Sequence, residues 1–164
     1  GMRIPWIMRD PSPAADGTRG QVRHEFVEAI DSSPTIMDWL GLDAPERFQG
    51  RSVLPLIRGD SEYAPRQEIH YEFDYRQPAM ARGADDASEH LLWVLRDGRY
   101  KLVQFADPEM PPIMYDLQAD PDELNNVAEQ PQHQAALLEL SQRLLRWRMR
   151  SEDQRAENWA QQYR

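Results

Sequence analysis

The residues best suited to chemistry are three potential metal ligands that alternate along one short segment, His70, Glu72 and Asp74. Successive side chains of a β-strand point to opposite faces, so this spacing places all three on one face. Imidazole and carboxylate groups in such a set can bind a divalent metal and activate water for hydrolysis. The simpler interpretation is the polar face of a sheet whose other face is buried, since alternation alone predicts polar residues there.

Two charged clusters suggest further sites. The first cluster is a group of four acidic residues, whose number suggests a calcium-binding site. They lack the glycine and the regular spacing of a calcium loop, and turn or helix-capping chemistry explains them. They are Asp116, Asp120, Asp122 and Glu123.

A basic run suggests either a phosphate site or pairing with the acidic excess of the protein itself, and the second interpretation is the more economical. It consists of Arg143, Arg146, Arg148 and Arg150.

The composition excludes several classes of function. The chain has 164 residues, a net charge of −9 and no cysteine. Without cysteine there are no disulfides, no thiolate metal sites and no cysteine nucleophile. The negative charge disfavours nucleic acid and anionic membranes as partners. Apolar runs are too short to span a bilayer. We expect a cytoplasmic protein, of bacterial origin, that binds neither nucleic acid nor membrane.

The elements that position these groups follow from periodicity. Apolar residues alternate with polar ones over residues 68–76, and three further strands are predicted at 91–95, 99–105 and 113–117. Within the first strand the alternation predicts that Tyr71 and Phe73 face the core. The pair Asp97-Gly98 predicts a tight hairpin in which both residues have positive φ. Pro131 opens a final helix whose apolar stripe should lie across the sheet, formed by Leu137, Leu140, Leu144 and Trp147.

The first 60 residues are rich in loops. The run from Ile4 to Met8 predicts a short strand, and two short helices are predicted, from Ser33-Pro34 to Gly41 and over residues 52–58. The predicted fold is therefore α+β, a small antiparallel sheet of about four strands packed against a long C-terminal helix, after a loop-and-short-helix N-terminal region. The predicted domains are a connector at 1–60, an α+β subdomain at 61–150 and a C-terminal arm at 151–164.

Several motifs, in order, resemble the closing segment of sulfatases. They are residues 31–37 (Asp-Ser-Ser-Pro-Thr-Ile-Met), Gly41-Leu42, residues 50–57 (GRSVLPLI), the hairpin 96–101 (RDGRYK) and residues 115–126 (YDLQADPDELNN). Residues 3–7 (RIPWI) are similar to the strand that follows the last active-site Lys and His of that family. Residues 72–76 (EFDYR) and 144–148 (LLRWR) resemble the phosphonate monoester hydrolase branch. The resemblance covers roughly residues 3–150.

The resemblance implies the alkaline phosphatase superfamily, whose members hydrolyse sulfate, phosphate or phosphonate esters with a formylglycine nucleophile and a divalent metal. The positions that carry this chemistry lie upstream of Met2 in the family pattern, so no catalytic residue and no cofactor is expected in this chain. The first hypothesis is a C-terminal domain, inactive alone, that completes the parent fold, forms one wall of the active-site cleft and supports oligomerisation. The alternative is an autonomous binding or assembly module.

These hypotheses assign two surfaces. An apolar patch near the N-terminus is expected to contact the catalytic domain of the same enzyme, through Ile4, Trp6, Ile7 and Met8. Aromatic residues near the C-terminus suggest a homo-oligomer interface, formed by Trp147, Trp159 and Tyr163. A self-sufficient metallohydrolase built on His70, Glu72 and Asp74 is a third interpretation, for which the sequence offers no nucleophile or second ligand cluster.

Overall fold

A computed structural model describes residues 4–75 and 91–162 of the chain, with side chains described as far as residue 151. The chain divides into two compact units, Gly1–Gln67 and Glu68–Arg164. Among the described residues, no helix combines the length and apolar character required to cross a membrane.

The first unit consists of loops around two short helices. Helix α1 spans Ser32–Trp39 and helix α2 spans Leu54–Ile57, which confirms both predicted helices. Two 3₁₀ turns precede them, Pro13–Thr18 and Ala29–Asp31. The strand predicted at residues 4–8 is wrong, because these residues are irregular and pair with no strand of the described chain. A run of apolar residues makes a strand only where a neighbouring strand accepts its backbone hydrogen bonds.

The second unit contains a four-stranded antiparallel sheet in the order β1-β2-β3-β4. Its strands are β1 (Glu68–Asp74), β2 (Leu91–Asp97), β3 (Tyr100–Phe105) and β4 (Ile113–Asp116). A helix of 29 residues, α3 (Gln134–Gln162), follows a single 3₁₀ turn. These elements confirm the predicted α+β class and the order of the elements in the sequence.

The hairpin between β2 and β3 forms where predicted but by a different mechanism. The two loop residues are Gly98 and Arg99, and neither Asp97 nor Gly98 has a positive φ, so the predicted geometry is wrong. Instead the Asp97 Oδ1 accepts hydrogen bonds from the backbone N–H of Arg99 at 2.8 Å and of Tyr100 at 2.7 Å. An aspartate that hydrogen-bonds the backbone two residues ahead stabilises a turn without left-handed residues.

The core of the second unit lies between α3 and one face of the sheet. Leu140 and Leu144 of α3 pack on a row that crosses the central strands, and Leu137 and Trp147 complete the contact at partial burial. The predicted stripe of α3 therefore lies across the sheet. The row on the sheet consists of residues that are completely buried, Leu95, Leu102 and Met114.

The core-facing side of β1 is the opposite of the prediction. Paired residues of an antiparallel sheet lie on the same face. His70 pairs with Leu95 and therefore faces α3, whereas Tyr71 pairs with Val94 and faces away. Tyr71 is 40% exposed and Phe73 is 38% exposed. The polar face of β1 meets the helix at Glu68, His70 and Glu72, because Arg143 and Arg148 of α3 pair with its two glutamates and Trp147 stacks on the histidine.

Candidate functional site

The three residues considered as metal ligands occupy different surroundings. The His70 ring stacks on the Trp147 ring with centroids 4.3 Å apart and planes at 2°. Its Nε2 lies 3.3 Å from Glu68 Oε1. Glu72 accepts a hydrogen bond from Arg148 at 2.9 Å. These two side chains therefore take part in contacts between β1 and α3.

Asp74 is exposed at the end of β1. Across the residues that the structure describes, no three or more His, Cys, Asp or Glu side chains lie together in an arrangement that could hold a metal ion. A metal site at these three residues stays an untested alternative to the polar-face interpretation.

Two arginines of α3 bind the acidic side of the sheet. Arg143 donates to Glu68 through two nitrogens and to Asp97 at 2.9 Å. Arg148, besides its bond to Glu72, lies 4.8 Å from the centroid of the Trp93 ring. This part of the predicted basic run therefore pairs with the protein's own carboxylates. Its chemistry is ion pairing that orients the helix, since forked guanidinium–carboxylate contacts are geometrically specific.

The acidic residues proposed as alternatives for calcium also have structural partners. The Arg99 guanidinium donates to Asp116 at 2.9 Å and lowers the pKa of that carboxyl. Asp120 Oδ2 accepts hydrogen bonds from the backbone N–H of Leu124 at 2.8 Å and of Asn125 at 2.7 Å. Glu123 is hydrogen-bonded to Lys101. Turn and ion-pair chemistry therefore accounts for Asp116, Asp120 and Glu123.

An aromatic row lines the face of β1 that points away from α3. Its members are Tyr71 and Phe73 and, directly after the strand, Tyr75, which is 46% exposed. The rings contact one another, with centroids 6.1 Å apart for Tyr71 and Phe73 and 4.1 Å apart for Phe73 and Tyr75. The same face continues through apolar residues of the neighbouring strands, Leu92, Val94, Val103, Phe105 and Ile113. Val94 on this face is already buried, whereas the three aromatic rings are exposed and suited to packing against another surface.

The first unit contains a buried carboxylate, that of Asp31, which has no exposed surface. It accepts backbone hydrogen bonds from Glu28 at 2.9 Å and from Arg51 at 2.8 Å. It also accepts two from the Arg66 guanidinium, one of them from Nε at 3.2 Å. One side chain therefore connects three segments that are distant in sequence.

The surrounding motif residues complete this connection. Thr35 Oγ1 donates to the backbone oxygen of Asp31 at 2.6 Å and accepts from the N–H of Val53 at 3.0 Å. At Gly50 an added Cβ would lie 2.0 Å from the backbone oxygen of Ile30, so a side chain has no room there. The motif residues that carry the resemblance thus join α1 to the segment before α2.

A second buried carboxylate, Asp10, stabilises the N-terminal loop. It accepts hydrogen bonds from the Ser12 N–H at 2.9 Å, from Arg58 Nε at 2.8 Å and from Trp39 Nε1 at 3.4 Å. The Ser12 N–H and the Arg58 guanidinium together hold the pKa of the Asp10 carboxyl far below its usual range. The loop that contains Asp10 is thereby attached to both α1 and α2.

The residues of the two predicted interfaces differ in their exposure. Ile4, Ile7 and Met8 are exposed, at 67%, 92% and 39%, and Trp6 is half-buried. Their role as an interface stays a prediction. Trp147 is half-buried against the core of the second unit, where it stacks on His70. The side chains of Trp159 and Tyr163 lie outside the described residues.

Sequence reasoning missed the ion pairs centred on Asp31 and Asp10. In the sequence Asp31 is the first residue of a motif, whereas Arg66 belongs to no pattern. No local signal connects two residues 35 positions apart in the chain. The motif order is nevertheless an indirect signal, because Asp31, Thr35 and Gly50 all lie in the motifs that carry the resemblance.

Comparison with known proteins agrees with this arrangement. The chain is 37% identical over 158 residues to a multifunctional alkaline phosphatase superfamily protein, PehA, of Trinickia caryophylli, a match that covers 92% of this chain and 29% of the relative. It superimposes on the phosphonate monoester hydrolase of Silicibacter pomeroyi with a TM-score of 0.67 and 36% identity, covering 76% of this chain and 25% of that one. For the phosphonate monoester hydrolase of Agrobacterium radiobacter the TM-score is 0.68 and the identity 33%, covering 79% and 26%.

The chain therefore spans less than a third of the length of each of these three proteins. A family model described as N-sulphoglucosamine sulphohydrolase, C-terminal, matches residues 1–150. The match covers nearly all of the two described units, including the Asp31 connection and the four-stranded sheet. The chain belongs to the family of C-terminal domains of sulfatases and phosphonate monoester hydrolases within the alkaline phosphatase superfamily.

Proposed function

We propose that the chain is the C-terminal structural domain of a metal-dependent hydrolase of sulfuric, phosphoric or phosphonic esters, inactive alone. Its work is to complete the fold of the parent enzyme and to support its oligomerisation. Family membership and the short coverage of longer relatives support this proposal. The motif residues also serve structural contacts here, since Asp31, Thr35 and Gly50 connect backbone segments.

The observation that carries the proposal is the aromatic row on β1. Tyr71, Phe73 and Tyr75 expose large rings on the sheet face opposite the helix-covered core. Burying such rings against another protein surface is favourable by about 25 cal/mol for each Å² of apolar area removed from water. We assign this face to contact with the catalytic part of the enzyme, and, as a separate assignment in the first unit, Ile4 and Ile7.

We infer that the cofactors of the parent family are bound outside this chain. A formylglycine requires a cysteine or serine in a specific motif, and the sequence has no cysteine and no serine in a Ser-x-Pro-x-Arg setting. No suitable group of metal ligands is present among the described side chains. We therefore propose that both the metal and the nucleophile belong to another part of the parent enzyme.

A chimera tests the structural role. The matching segment of the Trinickia caryophylli protein is replaced by this chain, and hydrolysis of a phosphate diester and an aryl sulfate is measured with added Mn²⁺. The chimera is expected to be folded and active. Phe73→Asp should lower its soluble yield and activity, since it places a charge in the proposed contact. Leu124→Asp, at a leucine that is 78% exposed, is the matched control.

The isolated chain provides the opposing test. With the same substrates and metals it is expected to show no turnover above buffer. Metal-dependent turnover that disappears in His70→Ala would contradict the proposal and make β1 a catalytic site. A chimera that folds but is equally active with Phe73→Asp would remove the aromatic row from the proposed contact.

A further inference from the structure

Helix α3 carries a second apolar stripe, on the side away from the sheet. Leu138, Leu145 and Met149 are 62%, 59% and 61% exposed, whereas Leu140 and Leu144 are buried in the core. Leu138, Leu145 and Met149, together with the exposed Gln142, stand at positions 138, 142, 145 and 149. The steps between these positions are four, three and four residues. This is the spacing of a coiled-coil seam, in which apolar positions recur every 3.5 residues on average.

The charged residues beside this stripe are complementary between two antiparallel copies of the helix. Glu139 and Arg146 follow Leu138 and Leu145 directly, so both lie on the same flank of the stripe, and both are exposed. In an antiparallel pair of such helices, Leu138 of one copy lies opposite Met149 of the other. The same register brings Glu139 of each copy next to Arg146 of its partner, which forms two equivalent ion pairs about a twofold axis.

We propose that the exposed stripe of α3 binds a second copy of this chain, helix against antiparallel helix, through Leu138, Leu145 and Met149. The proposal rests on the assembly part of the proposed function and names the surface that performs it. The spacing continues in the sequence at Glu152, Ala156, Trp159 and Tyr163, so one charged residue falls within the extended pattern. An isologous contact of this kind closes at two copies, because the same patch serves both partners.

Analytical ultracentrifugation of the chain tests this inference, at concentrations from about 5 to about 200 μM, where small interfaces associate. A monomer–dimer equilibrium is expected. Leu145→Glu should raise the dissociation constant at least about tenfold, because it places two charges in the apolar seam. Leu124→Glu, at an exposed leucine outside α3, should leave it unchanged. Circular dichroism verifies that the helix is intact in each variant.

A charge exchange identifies the partner and the orientation. Glu139→Arg alone and Arg146→Glu alone should each weaken the dimer, because like charges then meet, and the double variant should restore it. A monomer at every concentration with an intact helix would overturn the inference, as would a dimer that Leu145→Glu leaves unchanged or single charge variants without effect. Sedimentation reports self-association and the chimera assay reports the structural role, so failure of one is distinguishable from failure of the other.

Discussion

The buried ion pair between Asp31 and Arg66 is expected to be a main determinant of the stability of the first unit. Asp31 has no exposed surface, and the Arg66 side chain is 19% exposed. Truncation of Asp31 to alanine leaves the guanidinium partly buried beside one other carboxylate, that of Glu28 at 3.4 Å. It also removes the acceptor of two backbone N–H groups. Breaking a buried pair from one side costs about 3–5 kcal/mol.

The loss should be visible in two measurements. For a chain of this length each kcal/mol lowers Tm by about 2–4 °C, so Asp31→Ala should lower it by about 6–20 °C. Amide hydrogen exchange at Val53 reports the first unit, because its buried N–H donates to Thr35 Oγ1, an acceptor that the substitution leaves in place. The control is Asp43→Asn, at an exposed aspartate, which should change neither Tm nor the rate of amide hydrogen exchange.

A double-mutant cycle separates the pair from its surroundings. Arg66→Ala and the double variant are measured beside Asp31→Ala by urea unfolding. Groups in direct contact show coupling energies of about 0.5–3 kcal/mol, and the bidentate geometry favours a value above about 1 kcal/mol. A loss below about 1 kcal/mol for Asp31→Ala, or additive single variants, would refute the reasoning that this carboxylate connects the unit.

Three further predictions concern other contacts. Gly50→Ala should cost about 1–3 kcal/mol by urea unfolding, because the new Cβ would lie 2.0 Å from a backbone oxygen, whereas Gly17→Ala, with open space around it, should be tolerated. Leu102→Ala in the core of the second unit should cost about 2–5 kcal/mol, and Leu124→Ala less than about 0.5 kcal/mol, in the same assay. The lowered pKa of Asp10 stabilises the fold above pH 3.8, its ordinary pKa, and this contribution is lost as the pH falls below that value. In thermal melts from pH 7 to pH 2, Asp10→Asn should therefore be destabilising at neutral pH, with a difference from wild type that shrinks in acid.

Local patterns in the sequence predicted most of the elements. Alternation over residues 68–76 predicted β1, and the stripe from Leu137 to Trp147 predicted the buried side of α3, because both depend on backbone periodicity alone. The hairpin was predicted in the right place for a partly wrong reason. Aspartate before glycine favours a turn in several backbone geometries, and here the carboxylate of Asp97 determined which one formed.

The sites could be predicted less completely, because they depend on contacts between distant segments. The order of the motifs indicated the family, and the comparisons confirmed it. The partners of His70 and Glu72 were not predictable, since Trp147 and Arg148 lie more than seventy positions away in the sequence. The connection among Asp31, Arg66 and the backbone of Arg51 was missed for the same reason.

By itself the sequence determined that β1 has an aromatic face and a charged face, because a strand has a period of two. It did not determine which face is buried within the unit. The tertiary structure decided that the charged face meets α3, because Arg143 and Arg148 of α3 pair with Glu68 and Glu72 and make contact between this face and the helix favourable. A carboxylate can be covered when a guanidinium compensates it, and that compensation comes from a helix that only the fold brings to the strand.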